Sequence, residues 1–203
     1  MQEKWLQSIN EKLAFSLSEM IKDSQLRERI RYSLLPAGKL FRPLLVHHLA
    51  SDLGEIKPDH LIFSCSLEFH HCYTLIHDDL PAMDDDDERR GKPSAHIKYS
   101  EWEAILTGDS LLGLSFQILA KLETKHLAKI LDIYGEKTGS NGLILGQIID
   151  MQAQGKTIEE ILRVHELKTA ALMQLALIGS ALISDREDLI ESLDRLGLRL
   201  GQN

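Results

Sequence analysis

The sequence predicts an all-α protein, and three observations carry that prediction. Apolar residues recur at spacings of three and four through most of the chain, strand-like alternation is scarce, and the interruptions fall where proline and glycine cluster. Helices are expected over residues 2–22, 24–35, 41–53, 58–80, 101–120, 125–134, 139–153, 157–165, 168–183 and 186–201. The first, opening on Gln2-Glu3-Lys4-Trp5, reads as an amphipathic helix and not as a secretory signal, because charges break every apolar run. Pro36-Ala37-Gly38 closes the second and the stretch from Gly54 to Pro58 closes the third. Pro81 kinks or stops the fourth, since its ring clashes with the carbonyl four residues back, and the chain stays irregular as far as Pro93. Gly155 separates two later helices, and Ser184 and Asp185 are N-cap candidates for the last one. Apart from the acidic run Asp84-Asp85-Asp86-Asp87 there is no low-complexity tract, repeat or flexible linker, so a single domain over residues 1–203, with helices around a central space, is expected.

Composition narrows the function. The chain has 203 residues, 43% of them hydrophobic, enough for one sizeable helical core. No stretch approaches the roughly 20 uninterrupted apolar residues that span a bilayer, so a soluble cytoplasmic protein without a transmembrane segment is expected. A net charge of -8 argues against a general nucleic-acid binder, although a local basic cluster or bridging metal ions can still hold an anion. Cys65 and Cys72, seven residues apart on one helix, would have Cα atoms roughly 10 Å apart, too far for a disulfide. Reduced, buried thiols are expected.

The most informative segment runs from Glu68 to His96. At about 100° per residue, Glu68, His71, Thr74 or Leu75, and Asp78 share one face of a helix. A polar stripe thus climbs an otherwise apolar helix and ends in the adjacent acids Asp78 and Asp79. The bend at Pro81 offers Asp84 a way to converge with them. Hard oxygen donors of this kind suit Mg²⁺, which binds through one or two carboxylates and completes its shell with water and phosphate oxygens. Arg89 and Arg90 come directly afterwards, and guanidinium forks hold phosphate oxygens bidentately. Taken alone, the Asp-Asp-Asp-Asp-Glu-Arg-Arg run also reads as a solvated loop that balances its own charges. An acidic pair on an apolar helix is costly without a cation, which favours the metal–phosphate alternative.

The string His77-Asp-Asp-Leu-Pro-Ala-Met-Asp-Asp-Asp-Asp-Glu-Arg-Arg-Gly91 resembles the first aspartate-rich motif of trans-prenyl diphosphate synthases, the bacterial farnesyl and geranylgeranyl diphosphate synthases most of all. The resemblance implies an isoprenoid synthase-type helical bundle around a central cavity. It implies that Asp78, Asp79 and Asp84 hold Mg²⁺ against an allylic diphosphate, that Arg89 contacts the same group, and that Arg90 contacts isopentenyl diphosphate. Ala37-Gly-Lys-Leu-Phe-Arg-Pro43 is similar to the family's Gly-Gly-Lys-Arg-x-Arg-Pro, with Ala37 and Leu40 as departures; Lys39 and Arg42, with His71, would complete the isopentenyl diphosphate pocket. Thr107-Gly-Asp-Ser-Leu-Leu112 resembles a helix that packs at the family's homodimer interface. Gly146-Gln-Ile-Ile-Asp150 and Lys168-Thr169 resemble two further motifs, which would place Gln147, Asp150, Lys168 and Thr169 at the substrates, with Lys168 on the allylic diphosphate.

The implied reaction is the Mg²⁺-dependent, head-to-tail condensation of isopentenyl diphosphate with an allylic diphosphate, in a site that excludes water from an allyl cation. Tyr73 and Thr74 lie about one helical turn (~5.4 Å) below Asp78, and a bulky Tyr73 there would limit products to C10–C15. Leu196-Gly-Leu-Arg-Leu-Gly201 resembles the lead-in to the family's second aspartate-rich motif, and the sequence stops at Asn203 before that motif, so the bundle is expected to be incomplete at its C-terminus. An impaired relative that binds a prenyl diphosphate or lipid, or a regulatory partner of a full-length synthase, is the alternative. A terpene cyclase has no use for a second diphosphate pocket, and Lys39, Arg42, His71 and Arg90 speak against it.

Overall fold

Apolar spacing becomes helix almost throughout the computed structural model, which describes residues 2–152 and 157–202. The helices are α1 (Gln2–Met20), α2 (Ser24–Leu34), α3 (Phe41–Asp52), α4 (Pro58–Asp78), α5 (Ala95–Lys98), α6 (Glu101–Leu119), α7 (Leu127–Thr138), α8 (Leu143–Gln152), α9 (Ile158–Val164), α10 (Ala171–Ile183) and α11 (Ile190–Gln202). The strands among the described residues are two-residue pieces, β1 (Glu88–Arg89) and β2 (Lys92–Pro93), paired antiparallel with Glu88 opposite Pro93. The expected all-α class holds. The expected break at Gly155 lies outside the described residues.

Several boundaries differ from those expected, for local reasons. The helices expected over 157–165 and 168–183 are one continuous run, because His165–Ala170 forms a π-helical turn and not a break. The run Ile158–Ile183 is consequently long and apolar enough to cross a bilayer by length and composition, and 72% of its most apolar window is buried. Asp185 does not cap the last helix. It sits at φ 61°, its carboxylate pairs with Lys57 at 3.1 Å and Lys125 at 3.0 Å, and a 3-10 turn over Glu187–Leu189 precedes α11. Both cysteines are free and buried, as expected.

The chain divides into two compact units, each built from two stretches of sequence. One contains the residues up to Pro43 and Ser64–Lys121. Its core uses Ile9, Leu13 and Leu17 from α1, Ile30 and Leu34 from α2, Leu67 and Phe69 from α4, and Leu111 and Ile118 from α6, all essentially inaccessible. Spacings of four along α1 and α2 put those side chains on one face, and each contributes about 1.5–3 kcal/mol by leaving water. Two polar ties cross this core: the Ser66 hydroxyl donates to the Ser115 carbonyl at 2.7 Å, and the Trp5 indole to the Pro43 carbonyl at 3.2 Å.

The other unit contains Leu44–Phe63 and the residues from Leu122 onward, and α10 is its axis, buried along its whole length. Small residues let neighbours reach that axis. A Cβ on Gly179 would lie 2.1 Å from the Phe63 ring, one on Gly197 2.5 Å from the Gln174 Cα, and one on Gly201 2.3 Å from the Ala170 Cα. The Ser180 hydroxyl donates to the Val46 carbonyl at 3.0 Å, and the His60 ring sits 3.2 Å from both the Ser180 carbonyl and the Ser184 hydroxyl.

Candidate anion and metal site

Arg89 and Arg90 are presented by a tight hairpin. The pairing of β1 with β2 leaves Arg90 and Gly91 as a two-residue loop, with φ 57° and 73°. Two successive positive φ values define the turn whose twist matches that of the strands it joins. Gly91 takes this conformation without penalty, while Arg90 is held there at some strain. The hairpin is anchored on α2: the Tyr32 hydroxyl donates to the Pro93 carbonyl at 2.7 Å, and the Lys92 ammonium bonds the Tyr32 carbonyl.

Arg90 then reaches across to the loop before α3. A Cβ on Gly38 would lie 2.9 Å from the Arg90 Cζ, so the bare backbone of Gly38 is what admits the guanidinium. Leu40 is buried with φ 52°, a left-handed turn that lies between Lys39 and Arg42. These residues, with Phe41, Glu68, His71, Leu75 and Arg89, line a pocket of about 430 Å³. Lys39, Arg42, His71, Arg89 and Arg90, all expected from the sequence to bind diphosphate, are thus brought together.

The electrostatics of this pocket favour an incoming anion. The Arg42 Nε is enclosed and has no hydrogen-bond partner. Burial works against the charge of Arg42, and Glu68 supports it. Burial also holds the His71 ring well below the ordinary histidine range, an effect reinforced by Arg42 and Arg90, so His71 is neutral and offers one donor and one acceptor.

The three acids are placed differently from one another. Beyond Pro81 the chain folds back, and the Asp84 N–H donates to the Asp78 carbonyl at 2.9 Å. The bend therefore returns Asp84 to the end of α4, where Asp78 is half-buried and Asp84 exposed. Asp79 is buried and accepts from the Arg89 Nε at 2.9 Å and from a terminal guanidinium nitrogen; Arg89 also pairs with Asp86 at 3.0 Å. Asp79, expected to share a metal with Asp78 and Asp84, pairs here with the guanidinium of Arg89, the arginine expected at the allylic diphosphate. Among the described residues no group of three or more His, Cys, Asp or Glu side chains is arranged to hold a metal by itself. The donor set of Asp78, Asp79 and Asp84 fits Mg²⁺, which takes few carboxylates and completes its shell with water and phosphate oxygens.

Tyr73 and Thr74 do not line the 430 Å³ pocket. The Tyr73 ring packs edge-on between His70 and His77, at 5.1 and 5.0 Å between ring centres, and the Thr74 hydroxyl donates to the His71 carbonyl at 2.8 Å. His77 in turn depends on Gly108: a Cβ there would lie 2.2 Å from the His77 Nε2, which contacts the Ile105 carbonyl at 3.0 Å.

The second unit gathers the remaining expected residues. Gly146 lets α8 approach the π turn, since a Cβ there would lie 2.8 Å from the Lys168 backbone nitrogen. The Lys168 ammonium consequently reaches Asp150, donating at 3.0 Å, with both side chains about a quarter exposed. One turn before Asp150, the Gln147 amide nitrogen and oxygen are both enclosed without a hydrogen-bond partner. Thr169 is half-buried beside Lys168.

Two features of the site were not foreseen. The Arg90-Gly91 hairpin is too short to leave any strand alternation, and the glycine after the paired arginines was its one sequence signal. Glu68 was placed on the polar stripe, but nothing in the sequence marked it as a buried acid in the pocket wall, 3% exposed.

Comparison with known proteins shows the family. The family model described as polyprenyl synthetase matches residues 23–203. The chain is 42% identical over 183 residues to a farnesyl diphosphate synthase of Micrococcus luteus, an alignment covering 88% of this chain and 63% of that protein. It is 34% identical over 202 residues to a farnesyl diphosphate synthase of Bacillus subtilis (strain 168), covering 96% of this chain and 68% of the relative. The crystal structure of an FPP/GFPP synthase from Zymomonas mobilis superimposes with a TM-score of 0.91 at 32% identity, covering 99% of this chain and 76% of that one. The chain therefore spans about two thirds of the length of these two sequence relatives. It belongs to the polyprenyl synthetase family.

Proposed function

We propose that this chain serves a short-chain isoprenyl diphosphate synthase, which joins isopentenyl diphosphate head to tail to an allylic diphosphate and yields C10–C15 products. One observation carries the reading: Lys39, Arg42, His71, Arg89 and Arg90 surround a single pocket whose arginine Nε lacks a partner. Such a pocket suits the diphosphate of isopentenyl diphosphate. Asp78, Asp79 and Asp84 hold Mg²⁺, and Arg89 and Lys168, with Thr169, Gln147 and Asp150, serve the allylic diphosphate. Mg²⁺, when bound, neutralises charge on the leaving diphosphate. Tyr73 and Thr74 set product length, residues 1–203 act as one domain, and the protein works in the cytoplasm.

A homodimer belongs to the same proposal. Trp102, Ile105, Leu106 and Phe116 of α6 are exposed, Trp102 by 62% and Leu106 by 53%, on the helix that carries the interface-like motif. Light scattering that gives a monomer mass at micromolar concentration would remove this part.

The test is incubation of the purified chain with isopentenyl diphosphate, dimethylallyl or geranyl diphosphate, and Mg²⁺, with products resolved by chain length. Prenyl diphosphate formation supports the synthase. Binding of isopentenyl diphosphate without any product supports the alternative of a binding or regulatory relative.

A further inference from the structure

Glu68 is an anomaly in a pocket suited to anions. Among the described residues it is the one acid in the lining, which it shares with Lys39, Arg42, Arg89 and Arg90. Arg42 and Arg90 act on it through the space of the pocket, by charge. We propose that Glu68 is a proton-linked positioning residue, which keeps Arg42 and Arg90 in balance while the pocket is empty and takes up a proton when an anion settles on them. The inference rests on the anion pocket proposed above and names a regulation of that same site.

The argument is a competition between burial and charge. Removal from water disfavours an ionised carboxylate, and a buried glutamate keeps its charge only through nearby cations. Burial raises the Glu68 carboxyl above its ordinary range, and Arg42 and Arg90 are the two groups that pull it back. Both arginines line the space an anion would fill, and the enclosed Arg42 Nε lacks any other partner. A diphosphate bound there takes over their positive field and adds its own negative one, leaving burial to decide. The carboxylate Glu68–COO⁻ then takes one proton from solvent to become Glu68–COOH, and returns it when the anion leaves. The neutral acid removes a like charge beside the diphosphate.

The neighbouring groups do not compete for this proton. Lys39, Arg42, Arg89 and Arg90 line the pocket as donors only and have no acceptor site for a proton. His71, on the same helix, is held neutral by burial and by those arginines. Cys65 and Cys72, whose thiols feel Glu68, are pushed up by burial, Cys72 to about 12, and Lys12 acts only as a cation near Cys65. His70 titrates at about 4 because of burial and Arg42.

Calorimetry of inorganic pyrophosphate binding, without metal and in buffers of different ionisation heat near neutral pH, counts the protons taken up. Pyrophosphate's own titration is common to wild type and Glu68→Gln, so the difference between the two isolates Glu68. We expect the wild type to take up more, by a fraction approaching one proton per anion, and its affinity to fall by up to tenfold per pH unit as pH rises. Equal uptake by the two proteins would overturn the inference and leave the pocket standing. Failure of the wild type to bind pyrophosphate, or binding unaffected by Arg42→Ala, would instead overturn the pocket itself, and the inference with it. Should circular dichroism show Glu68→Gln unfolded, infrared difference spectra of the wild type decide: no carboxylic-acid carbonyl band on adding pyrophosphate sinks the inference.

Discussion

Replacing Gly38 by alanine should weaken the proposed isopentenyl diphosphate site without weakening the fold. The added Cβ would stand 2.9 Å from the Arg90 Cζ and one terminal nitrogen, and 3.2 Å from its Nε. Comfortable contact needs about 3.5–4.0 Å, so the guanidinium must retreat by roughly 0.6–1 Å. The obstacle is the free end of a long side chain, which can move; the protein need not unfold to accept it. Gly38 also lies outside the left-handed region, so alanine fits its backbone and removes conformations from the unfolded chain, worth about 0.4–1 kcal/mol of added stability. A displacement near 1 Å in a positioning group can lower rate or binding by up to about 100-fold. The expected result is KM for isopentenyl diphosphate raised about 10- to 100-fold, or about 1.4–2.7 kcal/mol, with Tm unchanged or higher. Steady-state kinetics on the activity proposed above, together with a thermal melt, make the check. An unchanged KM would refute the reasoning, and so would a large fall in Tm.

Three other perturbations separate local effects. Tyr73→Ala should lengthen the product distribution beyond C15, read by chromatography of dephosphorylated products, and an unchanged distribution removes Tyr73 from control of chain length. Acid should destabilise the fold: with His70 lowered to about 4 and His71 also lowered, both mainly by burial, stability is full above the unfolded histidine value near ~6.5 and is lost as pH falls towards 4. For His70 that amounts to about 3 kcal/mol; His70→Gln should flatten the dependence of the urea midpoint on pH, and a slope equal to wild type would count against it. Gly197→Ala should lose about 1–3 kcal/mol by overpacking, since the clash is with the Gln174 backbone at 2.5 Å, and no gain in helix propensity makes that good. A urea midpoint at or above the wild-type value would show that α11 can shift freely.

The cationic pocket was legible because its chemistry is written in residues that cannot be mistaken for core. Lys39 and Arg42 stand beside glycine and proline at a helix start, and Arg89 and Arg90 stand directly after a run of acids. Helix boundaries at Gly38, Gly54 and Pro58 were equally plain, since backbone restrictions act locally. The rest depended on partners distant in sequence. The pairing of Asp79 with Arg89 depends on how the hairpin at Arg90 turns, and that turn has no periodic signature. The π segment was half legible: the break expected between residues 165 and 168 falls inside it, because a wide turn interrupts the apolar spacing much as a short loop does. Asp185 resembled a helix cap in type, yet two lysines compete for its carboxylate.

That wide turn has a consequence for how one rod can serve two surroundings. Before it, α9 carries Ile158, Ile161 and Leu162 exposed to solvent; after it, every residue of α10 except Met173 is buried. A residue inserted into a helix rotates its C-terminal half by about 100° relative to its N-terminal half. His165–Ala170 therefore acts as a phase shifter: it lets the outer half keep its own orientation while Lys168 turns towards Asp150. Winding the same six residues as ordinary α-helix would leave an unbroken rod and swing one half of it by more than a quarter-circle.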